Sequence, residues 1–103
     1  MKVQLENDVH GLTKGRVYLV LGIASDFLRI QDDEGSPYLY EPKDFVIVED
    51  GYPDFWICKK GYKGEDYYYP EEWIEPGFFE DYFDGVVEAR NIFNKVLEIK
   101  YGL

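Results

Sequence analysis

The chain has 103 residues, with 21 acids against 11 basic residues, a net charge of −10, and a dense aromatic content of 10 Tyr, 7 Phe and 2 Trp. That length suits one domain spanning 1–103, able to bury roughly two thirds of its unfolded surface without disulfides or a metal. The acidity argues against direct nucleic-acid binding, which draws its affinity from a basic face, and against docking on an anionic membrane.

Cys58 is the only cysteine, so no intramolecular disulfide is possible. The polar start MKVQLEND lacks the apolar core of a signal peptide, and the expected compartment is cytoplasmic. No apolar run approaches the ~18 residues of a membrane-spanning helix.

After that polar approach, LTKGRVYLVLGI (12–23) reads as one strand, buried on both sides near its centre because Val17, Leu19 and Leu21 alternate with Tyr18 and Val20. Ser25-Asp26 turns the chain into FLRIQ (27–31), which alternates apolar and polar. DDEG (32–35) is the turn of a hairpin, with Gly35 supplying positive φ, and YLYE (38–41) is the returning strand. Pro42 ends that strand because proline cannot donate to a ladder, and Phe45–Val48 forms the next. Four short, closely spaced strands imply a small barrel or sandwich.

The second half echoes the first. DFLRIQDDEGSPYLYEPKDF and DFWICKKGYKGEDYYYPEEW align Asp26-Phe27 with Asp54-Phe55, Tyr38 with Tyr67, Tyr40 with Tyr69, Pro42 with Pro70 and Phe45 with Trp73. A second hairpin is therefore expected from 55–59 and 66–69, with Trp73 as a core plug. FFEDYF (78–83) suits a single helical turn. Val86–Tyr101 is the one long helix: Ala89, Phe93, Val96 and Lys100 form its inner stripe, Asp84 its N-cap and Gly102 its stop. No linker separates the halves, so one shared core is expected.

LTKGRVYLVL, DFLRI, the DDEG turn and YLYEPKDFVIV together resemble bacterial SH3-like barrels, in which a Lys-Gly step precedes the first long strand and a Pro-x-x-aromatic step closes the barrel. The resemblance covers about residues 12 to 48. It implies a barrel there, and with the hairpin and helix read above the expected fold is α+β: a small SH3-like β-barrel (12–50), extended by a second β-hairpin (51–76) and capped by the C-terminal α-helix (77–103). The aromatics of proline-binding SH3 grooves are lacking, because MKVQLENDVH has no tyrosine and Phe27-Leu28 stand where paired tryptophans belong.

No residue set asks for catalysis. His10 is the only histidine, in a polar loop, which argues against a zinc site or a serine-histidine triad. Cys58 sits beside Lys59 and Lys60 but reads as a packed, inert thiol. With so many acids, chance carboxylate pairs are uninformative. A calcium loop fails at Tyr82, where an oxygen ligand belongs, and no glycine-rich turn leads from a strand into a helix to cradle phosphate. No catalytic residue, metal site or cofactor is expected.

What stands out is charge. From Gly64 to Ala89 the chain carries Glu65, Asp66, Glu71, Glu72, Glu75, Glu80, Asp81, Asp84 and Glu88, with no lysine or arginine. Like charges in one stretch repel, which a basic partner would relieve. The expected function is a non-catalytic bacterial or phage protein-binding module, in its sharpest form an inhibitor or immunity-type protein covering a basic partner. The expected contact residues are Glu65, Asp66, Tyr68, Glu71, Glu72, Glu75, Glu80 and Asp81. Two alternatives stay open: a small-molecule-binding or enzymatic barrel with a tyrosine and carboxylate pocket, and a regulatory domain whose acidity only keeps it soluble.

Overall fold

The computed structural model describes residues 1–103 and has an α+β architecture: two antiparallel sheets and a C-terminal helical segment. The strands are β1 (Lys2–Leu5), β2 (Val17–Leu19), β3 (Gly22–Ala24), β4 (Phe27–Gln31), β5 (Pro37–Tyr40), β6 (Phe45–Glu49), β7 (Trp56–Lys60) and β8 (Asp66–Pro70). Short 3₁₀ turns at Pro42–Asp44 and Glu71–Trp73 follow β5 and β8, and the helices are α1 (Phe78–Phe83) and α2 (Val87–Tyr101). One sheet has the order β2-β1-β6 and the other β5-β4-β3-β8-β7. No helix is long and apolar enough to cross a membrane.

The local signals act as their chemistry dictates. Gly35 takes φ +92°, the Asp32 carboxylate accepts from the Glu34 and Ser36 N–H groups, and β4 and β5 pair across that turn. Both hairpins, β4-β5 and β7-β8, join the same sheet on either side of β3, and each ends in a proline step and a 3₁₀ turn. The expected repetition of strand, turn, strand, proline and aromatic is thus a repetition in space.

Four expectations fail. The polar lead-in contains a strand: in β1, Val3 and Leu5 are 1% exposed while Lys2 and Gln4 point away, and β1 pairs with both β2 and β6. Two buried residues in four are too few to stand out as an alternating pattern. The single long strand is two. After β2 the chain leaves one sheet through Val20 and Leu21 and enters the other at Gly22. Gly22 marks the crossing because a Cβ there would clash with the Cδ1–Cε1 edge of the Tyr69 ring and lie 2.9 Å from the Tyr68 carbonyl oxygen.

The third correction is that the halves share two cores rather than one. Val3, Leu5, Tyr18, Val20, Ile23, Leu28, Ile30 and Trp56 pack together between the two sheets. Leu21, Ala24, Tyr69, Trp73, Ile74, Phe93, Val96 and Leu97 form a second core on the far face of the five-stranded sheet, under the helices. β3 and β8 contribute to both, so their neighbouring side chains are buried on opposite faces.

In α2, Phe93, Val96 and Leu97 belong to that second core and Ala89 is buried as well, and Gly102 at φ +69° stops the helix with its N–H on the Leu97 carbonyl. Asp84 does not cap it. The N-cap is Val86, which offers no side-chain hydrogen bond, and Asp84 ends α1 instead. Trp73 is the expected plug, 1% exposed, with ring centroids 4.8 Å from Phe93 and 5.6 Å from Tyr101. An aromatic ring so enclosed is worth about 3–5 kcal/mol against alanine.

Candidate functional site

The far face of the five-stranded sheet is only partly covered. Gly77, at φ +89°, turns the chain after the second 3₁₀ turn and starts α1 across the sheet. Phe79 points into the second core, 5.3 Å from Tyr69 and 5.9 Å from Trp73. At the other end of α1, Phe83 stacks on Tyr38 of β5 at 4.9 Å and stays 39% exposed.

Between α1, the β7-β8 turn and the sheet lies a groove of about 920 Å³. It is lined by Ala24, Phe27, Arg29 and Leu39 of the sheet, by Tyr67 and Tyr69 of β8, and by Phe78, Phe79 and Phe83 of α1. Phe27 and Leu39 are each about two fifths exposed, at 42% and 41%, and supply open apolar surface. Glu65, Glu75, Glu80 and Asp84 line it as well, with Lys59, Lys60 and Tyr62.

Arg29 is the unexpected member. It follows Leu28 in β4, where the alternation of FLRIQ assigns it to solvent, yet it is only 9% exposed. Its Nε donates to the Tyr69 hydroxyl at 3.1 Å and its Nη1 to the Pro37 carbonyl at 2.9 Å. The guanidinium carbon lies 3.8 Å from the Phe79 ring centroid, so the cation stacks on that aromatic face. No carboxylate forms an ion pair with it. Burial pushes the Tyr69 hydroxyl up from its ordinary range, and the neighbouring guanidinium only partly offsets this.

The eight expected contact residues do not form one surface. Glu65, Glu75 and Glu80 line the groove. Glu65 accepts from the Lys63 N–H at 2.9 Å and the Tyr67 hydroxyl at 3.4 Å, and Glu75 pairs with Lys59 at 2.9 Å. Asp66 pairs with Lys60, and Glu72 with Lys100 of α2 at 2.8 Å. That ammonium holds the Glu72 carboxyl below its ordinary value. Glu71 and Asp81 are exposed outside the groove. Tyr68 packs against the core between the sheets, 4.9 Å from Tyr52, on the opposite face. The stretch with no lysine of its own is therefore partly neutralised by lysines from β7 and α2.

Reasoning from the sequence missed Arg29, Phe27, Leu39 and Phe83. The available signal was a lone cation between two apolar residues of a strand whose neighbours are buried on both sides. Cys58 is also corrected: it is exposed and not packed, with its Sγ 3.9 Å from an Asp66 carboxylate oxygen. His10 is exposed, as expected of a loop histidine.

The other dense polar cluster is a clamp. Asp33 accepts from the Thr13 hydroxyl at 2.6 Å, the Tyr18 hydroxyl at 2.6 Å and Arg16 at 3.0 Å, tying the first hairpin turn to the loop before β2. Those donors, Thr13 and Tyr18 foremost, hold the Asp33 carboxyl low. The displaced carboxyls, Asp33 and Glu72, are thus both shifted towards the ionised form. No family model, curated protein or solved structure matches the chain.

Proposed function

We propose that the protein is a non-catalytic binding module that receives a segment of a basic protein in the acid-rimmed aromatic groove. The observation that carries this reading is one of combination: Glu80 and Asp84 line the groove without a lysine or arginine partner, beside the open apolar surface of Phe27, Leu39 and Phe83. The net charge of −10 steers a cationic partner towards the protein and raises the on-rate by ~10 to 10³-fold at low salt. The exposed rings supply the anchoring contacts. In its sharpest form the protein is an inhibitor or immunity-type protein, acting in the cytoplasm, that covers the basic cleft of its target. Nucleic acid is not bound directly. The SH3-like likeness of the first half belongs to the same proposal, supported by the 3₁₀ turn at Pro42–Asp44 between β5 and β6.

The test is capture from the source lysate at low and high salt, using wild type beside a Glu80→Lys, Asp84→Lys variant. Glu72 is left intact because it pairs with Lys100. The expected result is a basic protein held by wild type alone and released by salt. The same proteins on both baits would make these carboxylates a solvating face. A second reading, a small-molecule site, draws on the groove's volume of about 920 Å³, which falls within the roughly 300–1,000 Å³ of ligand pockets. Thermal stabilisation by a metabolite and capture of no protein would favour it.

A further inference from the structure

We infer that Arg29 is an anchor for a carboxylate and that the groove takes the C-terminal end of a basic polypeptide, an inference that rests on the protein-binding reading above. The guanidinium is permanently charged. Burying such a group without a countercharge is costly, and proteins pair or hydrogen-bond it. Here the chain supplies Arg29 with a phenol, a carbonyl and an aromatic face, and no carboxylate. Nη2 has no acceptor at all, yet it is not among the sealed polar atoms: the one buried, unsatisfied side-chain nitrogen is Trp73 Nε1. Arg29 lines the groove, and we place its free donor edge on that side.

The acceptors that fit this fork are carboxylate and phosphate. The surrounding charges choose between them. Lys59 and Lys60 also line the groove but are engaged, Lys59 by Glu75 and Lys60 by Asp66, so the charges left over are those of Glu65, Glu80 and Asp84, which repel a dianion. They favour a ligand whose single negative charge goes inward and whose positive charges follow behind it. The terminus of a lysine- or arginine-rich chain has that order. Its carboxylate meets Arg29, its last side chain rests on Phe27, Leu39 and Phe83, and its preceding basic residues reach Glu80 and Asp84.

Titration calorimetry with the full chain tests this. The probe is an acetylated hexapeptide of three basic residues followed by alanine, leucine and phenylalanine, in four arms: the free acid, its C-terminal amide, the amide with glutamate replacing alanine, and inorganic phosphate. The free acid is expected to bind, and the amide roughly 10- to 100-fold more weakly, the worth of a hydrogen bond to a charged group. Arg29→Met is expected to bind acid and amide alike. If that variant fails to fold, the acid and amide pair on the unaltered protein decides.

Equal binding of acid and amide overturns the inference, as does no binding of either at about 1 mM. Phosphate or the glutamate-bearing amide binding as tightly as the free acid would also overturn it, replacing the terminus by a free oxyanion or by an internal acidic side chain. Acid and amide binding equally, and both lost in Glu80→Lys, Asp84→Lys, would sink the terminus while leaving the basic-partner reading intact.

Discussion

Removing a single oxygen, that of Tyr101, tests how the two cores are joined. Tyr101 ends α2, and its ring stacks on Trp73 in the second core with an interplanar angle of 8°. Its hydroxyl accepts from Trp56 Nε1 at 2.8 Å and donates to the Leu21 carbonyl at 2.6 Å. Trp56 belongs to the core between the sheets, and Leu21 lies where the chain crosses from one sheet to the other. Tyr101→Phe keeps the ring and removes both bonds. Trp56 is 8% exposed, so its indole N–H becomes a nearly buried donor without a partner, at a cost of about 1–3 kcal/mol. The lost bond to Leu21 adds about 0.5–1.5 kcal/mol. The sum, about 1.5–4.5 kcal/mol, is a large part of the 5–15 kcal/mol typical of a native domain.

Urea denaturation followed by tryptophan fluorescence is the assay, with the midpoint expected to fall and the slope to stay constant. A cycle with Trp56→Phe isolates the shared bond, and a coupling of at least about 0.5 kcal/mol is expected between residues in direct contact. Additivity of the two substitutions, or a loss below about 1 kcal/mol for Tyr101→Phe, would refute the idea that this hydroxyl ties the cores together. Alkaline pH gives a second readout. Burial raises the Tyr101 pKa well above 10.0, so the unfolded chain ionises first and stability is lost as pH rises beyond 10. Tyr101→Phe removes that group's share of the alkaline slope.

Other consequences are simpler to measure. Gly22→Ala would press a methyl against the edge of the Tyr69 ring, and overpacking of about 1–3 kcal/mol is expected to exceed the 0.4–1 kcal/mol that alanine gains in the unfolded state. An unchanged or raised melting temperature would show that the crossing tolerates a side chain. At acid pH, Asp33 and Glu72 titrate below their unfolded values of 3.8 and 4.5, so each contributes stability that is present above those values and is lost as pH falls through the lower folded ones. Asp33→Asn with Glu72→Gln is therefore expected to flatten the acid limb of a stability profile, measured by urea titration at pH 2 to 6. An acid limb as steep as that of wild type would place the cause elsewhere.

Much of the fold was legible because its signals are local. Gly35 and Gly102 adopt positive φ at positions where no longer-range contact is needed to predict it, and Pro42 and Pro70 end strands whatever lies beside them. The failures share a different cause. Whether Lys2–Leu5 is a strand depends on β2 and β6, which flank it from 12 and 40 residues further along the chain. The break between β2 and β3 depends on the Tyr69 ring, which needs the space that Gly22 leaves. An alternating pattern such as FLRIQ shows that two faces exist. It does not show that α1, some fifty residues away, covers the second one and buries Arg29 there.

The same distinction decides how to read the acidic stretch. Counted along the chain it is uniformly negative, and that count suggested a single surface aimed at a partner. In space Glu72 meets Lys100, Glu75 meets Lys59 and Asp66 meets Lys60, while Tyr68 faces the opposite core. These exposed pairs contribute little stability individually, but they neutralise three of the nine acids and so weaken the motive for a partner. What they leave is a smaller and sharper feature. Glu80 and Asp84 stand beside open aromatic surface and a buried arginine without a carboxylate. A charge excess that merely solubilises needs none of these neighbours, whereas the ligand we propose, a carboxylate followed by basic residues, would engage the buried arginine, the aromatic surface and the acids in turn.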